Sequence, residues 1–416
     1  MSLPELLSGQ DNIIDGIAEI FGTELSNDIE YKFSGIKSAI YTHQGCKLEY
    51  SGQLTSEYIS EETEMSAYIS LHLALENLRN TSSKGPNVLI LGAKDSGKST
   101  LSKILSSYAL RMDHQPFLVN LDPSKSGFSI PGSLSAAPIS DILDVEQGLG
   151  QSYTTGPTLL HPKQPTVRYF GYDNFDDHLK FYKYNVSRLG ITVLSRLQED
   201  EKVRRSGLIV DTPPLTIKNV DLIQDIVSDF DIDILVVVGN ERLFIDLKKR
   251  FKERLTVVKV PKSAGVVDID DAYQRKLQQK AIKEYFHGID KSPLSPYTVN
   301  VDFKVVNVFK PYIESTELIS SVLPIGEEGF EDSKDDKSSK LIEHVETNSS
   351  NLLNSVVAIL HADKNEDEDE IVRSSVLGFA VVTDVDDIKS FLRILIPVPG
   401  RLPDKAMILG SFRYIE

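Results

Sequence analysis

The order of hydrophobic and polar residues divides the chain into three regions. In the first region, short segments alternate apolar and polar residues between Gly, Asn and Asp, a pattern typical of antiparallel strands. The strands predicted here are Gly16–Phe21, Ile29–Phe33, Ala39–Tyr41 and Lys47–Tyr50. A helix is predicted over residues 64–80. We therefore expect a small N-terminal β domain plus a linking helix at residues 1–80.

The second region alternates strand and helix patterns. Its strands are predicted at residues 87–91, 116–121, 206–211, 233–238 and 256–260, and its helices at residues 101–110, 173–199, 219–230, 241–254 and 270–286. Because these strands are almost continuously apolar, both of their faces should be buried, which is typical of a parallel sheet covered by helices. The pattern predicts an α/β domain with a mostly parallel sheet at residues 81–304.

The third region, residues 305–416, is predicted to form a C-terminal β-rich domain. Its strands are expected at residues 305–309, 355–360, 376–382, 392–396 and 406–410. Two acidic stretches interrupt the pattern, at residues 327–336 and 363–370. Charge runs of this kind are usually solvated loops, and docking of a basic partner is the alternative.

The clearest motif, Gly92–Thr100, stands between the first strand and the first helix of the second region. It reads G-x-x-x-x-G-K-S-T, the phosphate-binding loop (P-loop) of nucleoside triphosphate sites, and a chance match in a glycine-containing turn is the alternative. The glycines let successive N–H groups point at phosphates, Lys98 would reach the β- and γ-phosphates, and the Ser99 hydroxyl would hold Mg²⁺. The predicted cofactor-binding residues of the loop are Gly92, Asp95, Ser96, Gly97, Lys98, Ser99 and Thr100. The central domain is therefore predicted to be a P-loop NTPase domain.

Further candidates for chemistry lie outside the loop. Asp122 and Asp211 end two predicted strands, and ligands of parallel sheets bind beyond the carboxyl ends of the strands. Asp122 would bind Mg²⁺ or act as a base toward an acceptor hydroxyl, and an Asp-Pro turn is its alternative role. Arg275, on a polar predicted helix, could cover the γ-phosphate as part of a lid, although its spacing favours an exposed helix face.

Composition limits the class of protein. The net charge of −16 argues against a generally basic nucleic-acid binder, although a local basic groove stays open. The single cysteine, Cys46, excludes an internal disulfide framework and a cysteine-rich zinc site. No apolar run approaches the roughly 20 residues that span a bilayer, and the first residues lack the pattern of a secretory signal. We expect a cytosolic or nuclear protein.

Taken together, several segments resemble the polynucleotide 5′-hydroxyl kinase family. Among its members they are most similar to the ATP-binding subunits of the yeast-type mRNA cleavage and polyadenylation factor IA. The segments that carry the resemblance are Glu19–Leu25, the P-loop, Asn120–Pro123, Ser129–Gly132, Ala137–Asp144, Arg204–Pro213, Pro261–Val267 and Lys283–Gly288. The resemblance begins near Ile14 and covers nearly the whole chain. It implies an N-terminal β domain, a central P-loop domain and a C-terminal β domain.

Some residues depart from the pattern of active kinases in this family. Active members resemble D-x-G-Q after the second strand, whereas this chain has Asp122-Pro-Ser-Lys125. Active members also carry a tryptophan that stacks on an RNA base, but here Leu215 takes its place and the chain has no tryptophan. Such stacking contributes about 1–3 kcal/mol per base. Arg275 matches a family arginine, whereas Gln278 stands where a further cation is expected. The departures imply that kinase activity has been lost.

The resemblance also implies a cofactor and partners. We expect the chain to hold ATP and Mg²⁺ without significant turnover, with Ser99 and Asp122 as metal ligands. Lys37 matches a lysine that contacts the nucleotide base, and a surface lysine is the alternative. The implied partners in the nucleus are other cleavage-factor subunits, including the scaffold that binds the polymerase II C-terminal domain, with indirect contact to RNA and none to membranes.

Two other functions stay open. One is an active RNA 5′-hydroxyl kinase, with Asp122 and Arg275 as catalytic residues. The other is a nucleotide switch in which ATP hydrolysis regulates assembly.

Overall fold

The computed structural model describes residues 2–27, 29–146, 165–252, 254–289, 292–312 and 340–415. The acidic stretch predicted at residues 327–336 lies outside them. The described helices are α1 (Met65–Thr81), α2 (Lys98–Arg111), α3 (Leu179–Glu199), α4 (Glu201–Ser206), α5 (Val220–Asp229), α6 (Glu241–Arg250), α7 (Asp271–His287), α8 (Ser349–Leu352) and α9 (Glu368–Arg373). No helix among the described residues is both long and apolar enough to cross a membrane.

The N-terminal region forms an antiparallel sheet of six strands, two more than the pattern predicts. Its strands are β1 (Ser2–Gly16), β2 (Ala18–Ile20), β3 (Thr23–Leu25), β4 (Glu30–Phe33), β5 (Ile36–Tyr41) and β6 (Cys46–Leu54). Their order is β3-β2-β5-β1-β4, with β6 also paired to β1. Ile20, Phe33 and Ile40 are almost completely buried in a small core beneath this sheet. The prediction of a small N-terminal β domain is confirmed.

The central sheet has seven strands. They are β7 (Asn87–Gly92), β8 (Phe117–Asn120), β9 (Ser133–Pro138), β10 (Thr166–Tyr169), β11 (Leu208–Asp211), β12 (Ile234–Val238) and β13 (Thr256–Val260). Their order is β10-β9-β8-β11-β7-β12-β13. Strands β8, β11, β7, β12 and β13 run parallel, and β9 is antiparallel to β8. Every residue of β7, β8, β11 and β12 is buried, so the predicted α/β class with a mostly parallel sheet is confirmed.

The third sheet also has seven strands, and it confirms the predicted β-rich C-terminal region. They are β16 (Tyr297–Asp302), β17 (Asn307–Pro311), β18 (Ile342–His344), β19 (Ser355–Asp363), β20 (Val376–Asp386), β21 (Phe391–Ile396) and β22 (Lys405–Arg413). Their order is β16-β21-β20-β19-β22-β17-β18, and a separate short pair joins β14 (Gly288–Ile289) to β15 (Ser292–Pro293). The domain boundaries at residues 80 and 304 stay predictions.

The charge pattern predicts a solvated loop at residues 363–370. In the structure, the end of this acidic stretch belongs to helix α9 instead. The Asp367 side chain accepts a hydrogen bond from the backbone N–H of Glu370 and so caps the helix. Glu368, Asp369 and Glu370 occupy the first turn, where negative charge is favoured by the helix dipole. At least part of this charge therefore has a structural role.

The chain divides into two compact units, one formed by residues 1–167 and 186–281 and the other by residues 168–185 and 282–416. The N-terminal sheet and the P-loop belong to the first unit. All the residues of the candidate site described below belong to it as well.

Candidate nucleotide-binding site

The P-loop connects the buried strand β7 to helix α2, as its sequence context predicts. Gly97 is the N-cap of α2 and has a φ of 90°, a left-handed conformation that favours glycine. A Cβ atom at this position would lie 2.9 Å from Val266 Cγ2. Gly92 is restricted by space alone, because a Cβ atom there would lie 2.7 Å from Ser96 Oγ and 3.0 Å from the carbonyl oxygen of Val238. Both glycines are therefore required by the shape of the loop.

The Lys98 side chain folds back onto the P-loop backbone. It is only 2% exposed, and its ammonium donates a hydrogen bond of 2.7 Å to the carbonyl oxygen of Ala93. Burial, followed by repulsion from Lys125, lowers the pKa of Lys98 to about 8. A phosphate in the loop would supply the counter-charge that this ammonium needs.

Two buried carboxylates stand behind the loop. Asp211 is paired in register with Asn120 of the neighbouring parallel strand, so the carboxyl ends of β11 and β8 lie side by side. Asp122, just beyond β8, accepts hydrogen bonds at Oδ1 from the backbone N–H (3.1 Å) and the hydroxyl (2.7 Å) of Ser124. The Asp-Pro turn considered as its alternative role is thus present, and it leaves Oδ2 for other partners.

Asp211 has an unusual environment. It is 5% exposed, and its Oδ1 is buried with no hydrogen-bond partner among the described residues. Burial raises the pKa of this carboxyl group, and the ammonium groups of Lys125 and Lys98 offset part of the rise. Together with Ser99 Oγ and Asp122 Oδ2, this free oxygen forms a set of hard oxygen donors of the kind that Mg²⁺ binds. The residues present therefore fit a magnesium ion.

Lys125 reaches into the same group of oxygens. Its ammonium donates a hydrogen bond of 2.8 Å to Ser99 Oγ and lies 3.6 Å from Asp122 Oδ2. Burial alone would lower the pKa of Lys125, but the carboxylates of Asp122, Asp211 and Asp95 outweigh burial and raise it. A lysine cation thus contacts both of the predicted metal ligands.

A cavity of about 570 Å³ opens above the loop, a volume within the usual range of small-molecule sites. Of the predicted ligands, those that line the cavity are Lys37, Asp95, Ser96, Gly97, Lys98, Ser99 and Thr100. Gly92, Asp122 and Arg275 do not line it. Lining residues that the sequence analysis does not identify include Tyr41, Tyr58, Tyr68, Lys103 and Tyr273. They carry no local motif, because separate segments of the chain bring them to the cavity.

Lys37, on β5, lies where a lysine of the β domain could meet a nucleotide. Its ammonium is 4.7 Å from the centroid of the Tyr273 ring and donates a hydrogen bond of 3.2 Å to the carbonyl oxygen of Asp268. The Tyr273 hydroxyl in turn donates a hydrogen bond of 3.3 Å to the carbonyl oxygen of Gly35. The N-terminal sheet is therefore joined to helix α7 along one wall of the cavity.

Helix α7 turns two amides toward the loop after β8. Gln274 and Gln278 both donate hydrogen bonds to the backbone carbonyl of Ser124, the latter at 2.9 Å. Arg275, in contrast, is exposed, as the exposed-face alternative expects. The helix therefore positions the loop that carries Lys125.

Leu215, at the position where active kinases carry a tryptophan, is completely buried. A buried aliphatic side chain has no surface on which a base could stack.

Comparisons with known proteins agree with this arrangement along the chain. Residues 92–288 match the family model of the mRNA cleavage and polyadenylation factor CLP1 P-loop. Residues 294–416 match the model of the pre-mRNA cleavage complex II protein Clp1. Residues 8–82 match the N-terminal beta-sandwich domain of polyadenylation factor, a match that starts ahead of Ile14, where the resemblance had been expected to begin.

The chain belongs to the Clp1 family of mRNA cleavage and polyadenylation factors.

Individual relatives support this assignment. The chain is 45% identical to the mRNA cleavage and polyadenylation factor CLP1 of Debaryomyces hansenii, over 97% of this chain and 90% of the relative. A solved structure of a wild-type Clp1p–Pcf11p complex, with residues 454–563 of Pcf11p, matches with a TM-score of 0.87 and 36% identity, covering 100% of this chain and 98% of that chain. A second structure, with the same values, describes an extended Pcf11p–Clp1p interface and the structural basis for ATP loss in a glycine-to-arginine point mutant.

Proposed function

We propose that this chain is an ATP-binding structural subunit of the pre-mRNA 3′-end cleavage and polyadenylation machinery in the nucleus. It holds ATP and Mg²⁺ without significant turnover and bridges other subunits. The observation that carries the proposal is an intact P-loop opening into a cavity of nucleotide size, next to positions that lack the groups of an active kinase. Membership of the Clp1 family provides the biological setting.

ATP would bind with its triphosphate on the P-loop and its base toward the N-terminal sheet. The backbone N–H groups at the start of α2 and the Lys98 ammonium are suited to phosphate oxygens. Lys37 and Tyr273 line the part of the cavity that faces β5. The nucleotide would thus connect β5, the P-loop and α7 within the first unit.

Ser99 and Asp122 are the residues that would hold Mg²⁺. Asp211 interacts with both of them, and its Oδ1, which has no hydrogen-bond partner among the described residues, would add a third oxygen. When bound, the metal neutralises phosphate charge and orients the phosphoryl group. The protein's own residues fix the loop: Asp122 holds the turn through Ser124, and Gln278 of α7 holds the carbonyl of Ser124.

Several observations support slow or absent turnover. Phosphoryl transfer depends on positioned cations and on an oriented acceptor, and the loss of one such cation lowers the rate by about 10³–10⁵-fold. Here Gln278 presents an amide, and Arg275 is exposed outside the cavity. Leu215 is buried, so no base-stacking platform stands at that position. The cavity is therefore better suited to retain ATP than to transfer its phosphate.

The proposed protein partner of this chain is inferred from its relatives. The solved structure that matches the full length of this chain holds Clp1p together with a segment of Pcf11p. We infer that this chain binds the corresponding subunit of its own cleavage factor, the scaffold that contacts the polymerase II C-terminal domain. Any contact with RNA would then be made through other subunits.

Equilibrium dialysis with labelled ATP, combined with size-exclusion chromatography against the purified scaffold subunit, tests this proposal. The unmodified chain should bind one ATP and co-elute with the scaffold. Lys98→Ala should lose ATP, whereas Lys84→Ala should keep it, because Lys84 pairs with Asp231 away from the cavity. If the unmodified chain binds neither ATP nor the scaffold, the proposal is wrong.

An active RNA 5′-hydroxyl kinase is the second candidate, favoured by the presence of Lys98, Ser99 and Asp122 in one site. Lys125 contacts both Ser99 and Asp122, and the Asp122 carboxylate interacts electrostatically with Lys98. It requires transfer of the labelled γ-phosphate from ATP to a 5′-hydroxyl oligonucleotide, and this transfer must vanish in Lys98→Ala. Absence of transfer, with ATP recovered intact, excludes the kinase and leaves the structural role.

A further inference from the structure

The position of one cation in the site, Lys125, is not explained by the general requirements of ATP binding. Lys125 lines the cavity, whereas Asp122 lies behind it, 2% exposed. The Lys125 ammonium therefore stands between the cavity and that carboxylate. It contacts Ser99 Oγ at 2.8 Å and Asp122 Oδ2 at 3.6 Å, the two ligands that the metal would need.

The backbone holds this lysine in place. Its N–H donates a hydrogen bond of 3.2 Å to the carbonyl oxygen of Asp122, and its carbonyl accepts one of 3.4 Å from the Asn120 side chain. The preceding carbonyl, of Ser124, accepts from both Gln274 and Gln278. A turn anchored from both sides fixes the backbone from which the Lys125 side chain reaches Ser99 Oγ.

We propose that, when no metal is bound, the Lys125 ammonium takes the position and the charge of Mg²⁺ in this site, so that the chain binds ATP with or without divalent metal. The inference rests on the proposed function, because it requires that the cavity binds ATP. It goes further by assigning the counter-cation of the phosphates to a residue of the chain itself.

The chemistry of the two cations explains the exchange. An ammonium has three donors and no acceptor, so it can satisfy Ser99 Oγ and Asp122 Oδ2 and still direct a proton toward a phosphate oxygen. A magnesium ion can reach those oxygens only after Lys125 has left them. Two positive charges in one small site also repel each other, so an entering metal ion is opposed by the lysine that it must displace.

The same exchange affects reactivity. Mg²⁺ binds with near-ideal octahedral geometry and can fix the bridging oxygens of a nucleotide, whereas a lysine supplies a point charge on a flexible stem. The Lys125 ammonium neutralises phosphate charge without imposing the metal's geometry on it. Tight binding without turnover is the expected outcome.

The test compares the dissociation constant of ATP with excess Mg²⁺ and with excess EDTA, by isothermal titration calorimetry of the full chain. For the unmodified protein the two constants should agree within about threefold, because the charge-assisted lysine–phosphate bond persists without metal. In Lys125→Gln, removal of Mg²⁺ should weaken binding by about tenfold or more, because no cation then replaces the metal.

Lys94→Gln is the matched control. Lys94 is a cation close to the site, but its side chain is 61% exposed, pairs with Asp271 at 3.5 Å and does not line the cavity. Removal of this charge should leave the ratio of the two constants at the value of the unmodified protein. Thermal unfolding of each variant shows that it is folded.

The outcomes separate the two proposals. If Mg²⁺ removal weakens the unmodified chain as strongly as Lys125→Gln, Lys125 does not replace the metal, although ATP binding itself stands. If the unmodified chain binds no ATP in either buffer, both the function and the inference fail. The comparison of the unmodified chain in the two buffers decides the inference even if Lys125→Gln does not fold.

Discussion

At the scale of single residues, Lys98 makes nucleotide binding depend on pH. Its pKa in the free chain is about 8, since burial and Lys125 both disfavour the charged form. A bound triphosphate favours the ammonium, so it raises this pKa and binding takes up protons above pH 8. The affinity for ATP should therefore be highest below about pH 8. It should fall as the pH rises further, by at most about tenfold per pH unit for this group.

The measurement is the dissociation constant of ATP between pH 6.5 and 9.5. Lys98→Arg should flatten the profile, because a guanidinium stays charged throughout this range. Burial also lowers the pKa of Lys103 to about 8, so Lys103→Arg is the matched second variant. An affinity that rises above pH 8 in the unmodified chain would contradict the assignment of Lys98 to the phosphates.

The residues of the P-loop could be read from the sequence because the motif is local. The loop, its strand and its helix lie within one short segment, and each glycine meets a local steric demand. The contact of Lys125 with Ser99 could not be predicted in this way, because it joins residues that are 26 positions apart through the turn after β8. Arg275 shows the same limit, since the sequence left open which face of α7 it would occupy.

At the scale of elements, strand content was predictable where apolar residues run together and was missed where they do not. Strand β9 reads Ser-Leu-Ser-Ala-Ala-Pro, a sequence with weak strand preference, yet all six residues are buried. It forms because it pairs with β8 from Phe117↔Pro138 to Asn120↔Ser135. Strand β1 likewise contains Pro4 and Gly9, and it is included in its sheet by pairing with β4, β5 and β6.

Within the second unit, Arg168 fixes the end of a helix. Its guanidinium is 4% exposed and donates to the backbone carbonyls of Val372, Arg373 and Ser374, where α9 ends, and to Asn185 Oδ1. Arg168→Lys keeps the charge but cannot reach all of these acceptors. It should lower the free energy of unfolding of the second unit by about 2–4 kcal/mol.

Hydrogen exchange of the β19 amides in mild denaturant reports the stability of that unit. Arg373→Lys is the control, because the Arg373 side chain is half exposed and forms its ion pair with Glu370 of the same helix. Equal protection of β19 in Arg168→Lys and Arg373→Lys would show that the buried guanidinium has no special role.

At the scale of the whole molecule, bound ATP should stabilise the two units unequally. The first unit already links α2 to the N-terminal sheet, through Arg111 with Glu19 (3.0 Å) and Glu24 (2.7 Å). ATP at 100 times its dissociation constant should add about 2.7 kcal/mol to the free energy of any unfolding event that opens the site. The described residues that line the cavity all belong to the first unit, so the stability of the second unit should not change directly.

Hydrogen exchange with and without ATP measures this difference. Protection should rise in β5, α2 and α7, whereas β19 and β20 should be unaffected, and Lys98→Ala should abolish the increase. Protection limited to the P-loop alone would contradict a nucleotide that connects the N-terminal sheet to the central domain.

The central claim, that the chain retains ATP without consuming it, is tested most directly by the identity of the bound nucleotide over time. The purified chain is loaded with ATP, freed of excess nucleotide, incubated with Mg²⁺ and a 5′-hydroxyl oligonucleotide, then denatured and analysed by chromatography. We predict that the released nucleotide is ATP after many hours and that the oligonucleotide stays unphosphorylated. Release of ADP that accumulates with time would contradict the account.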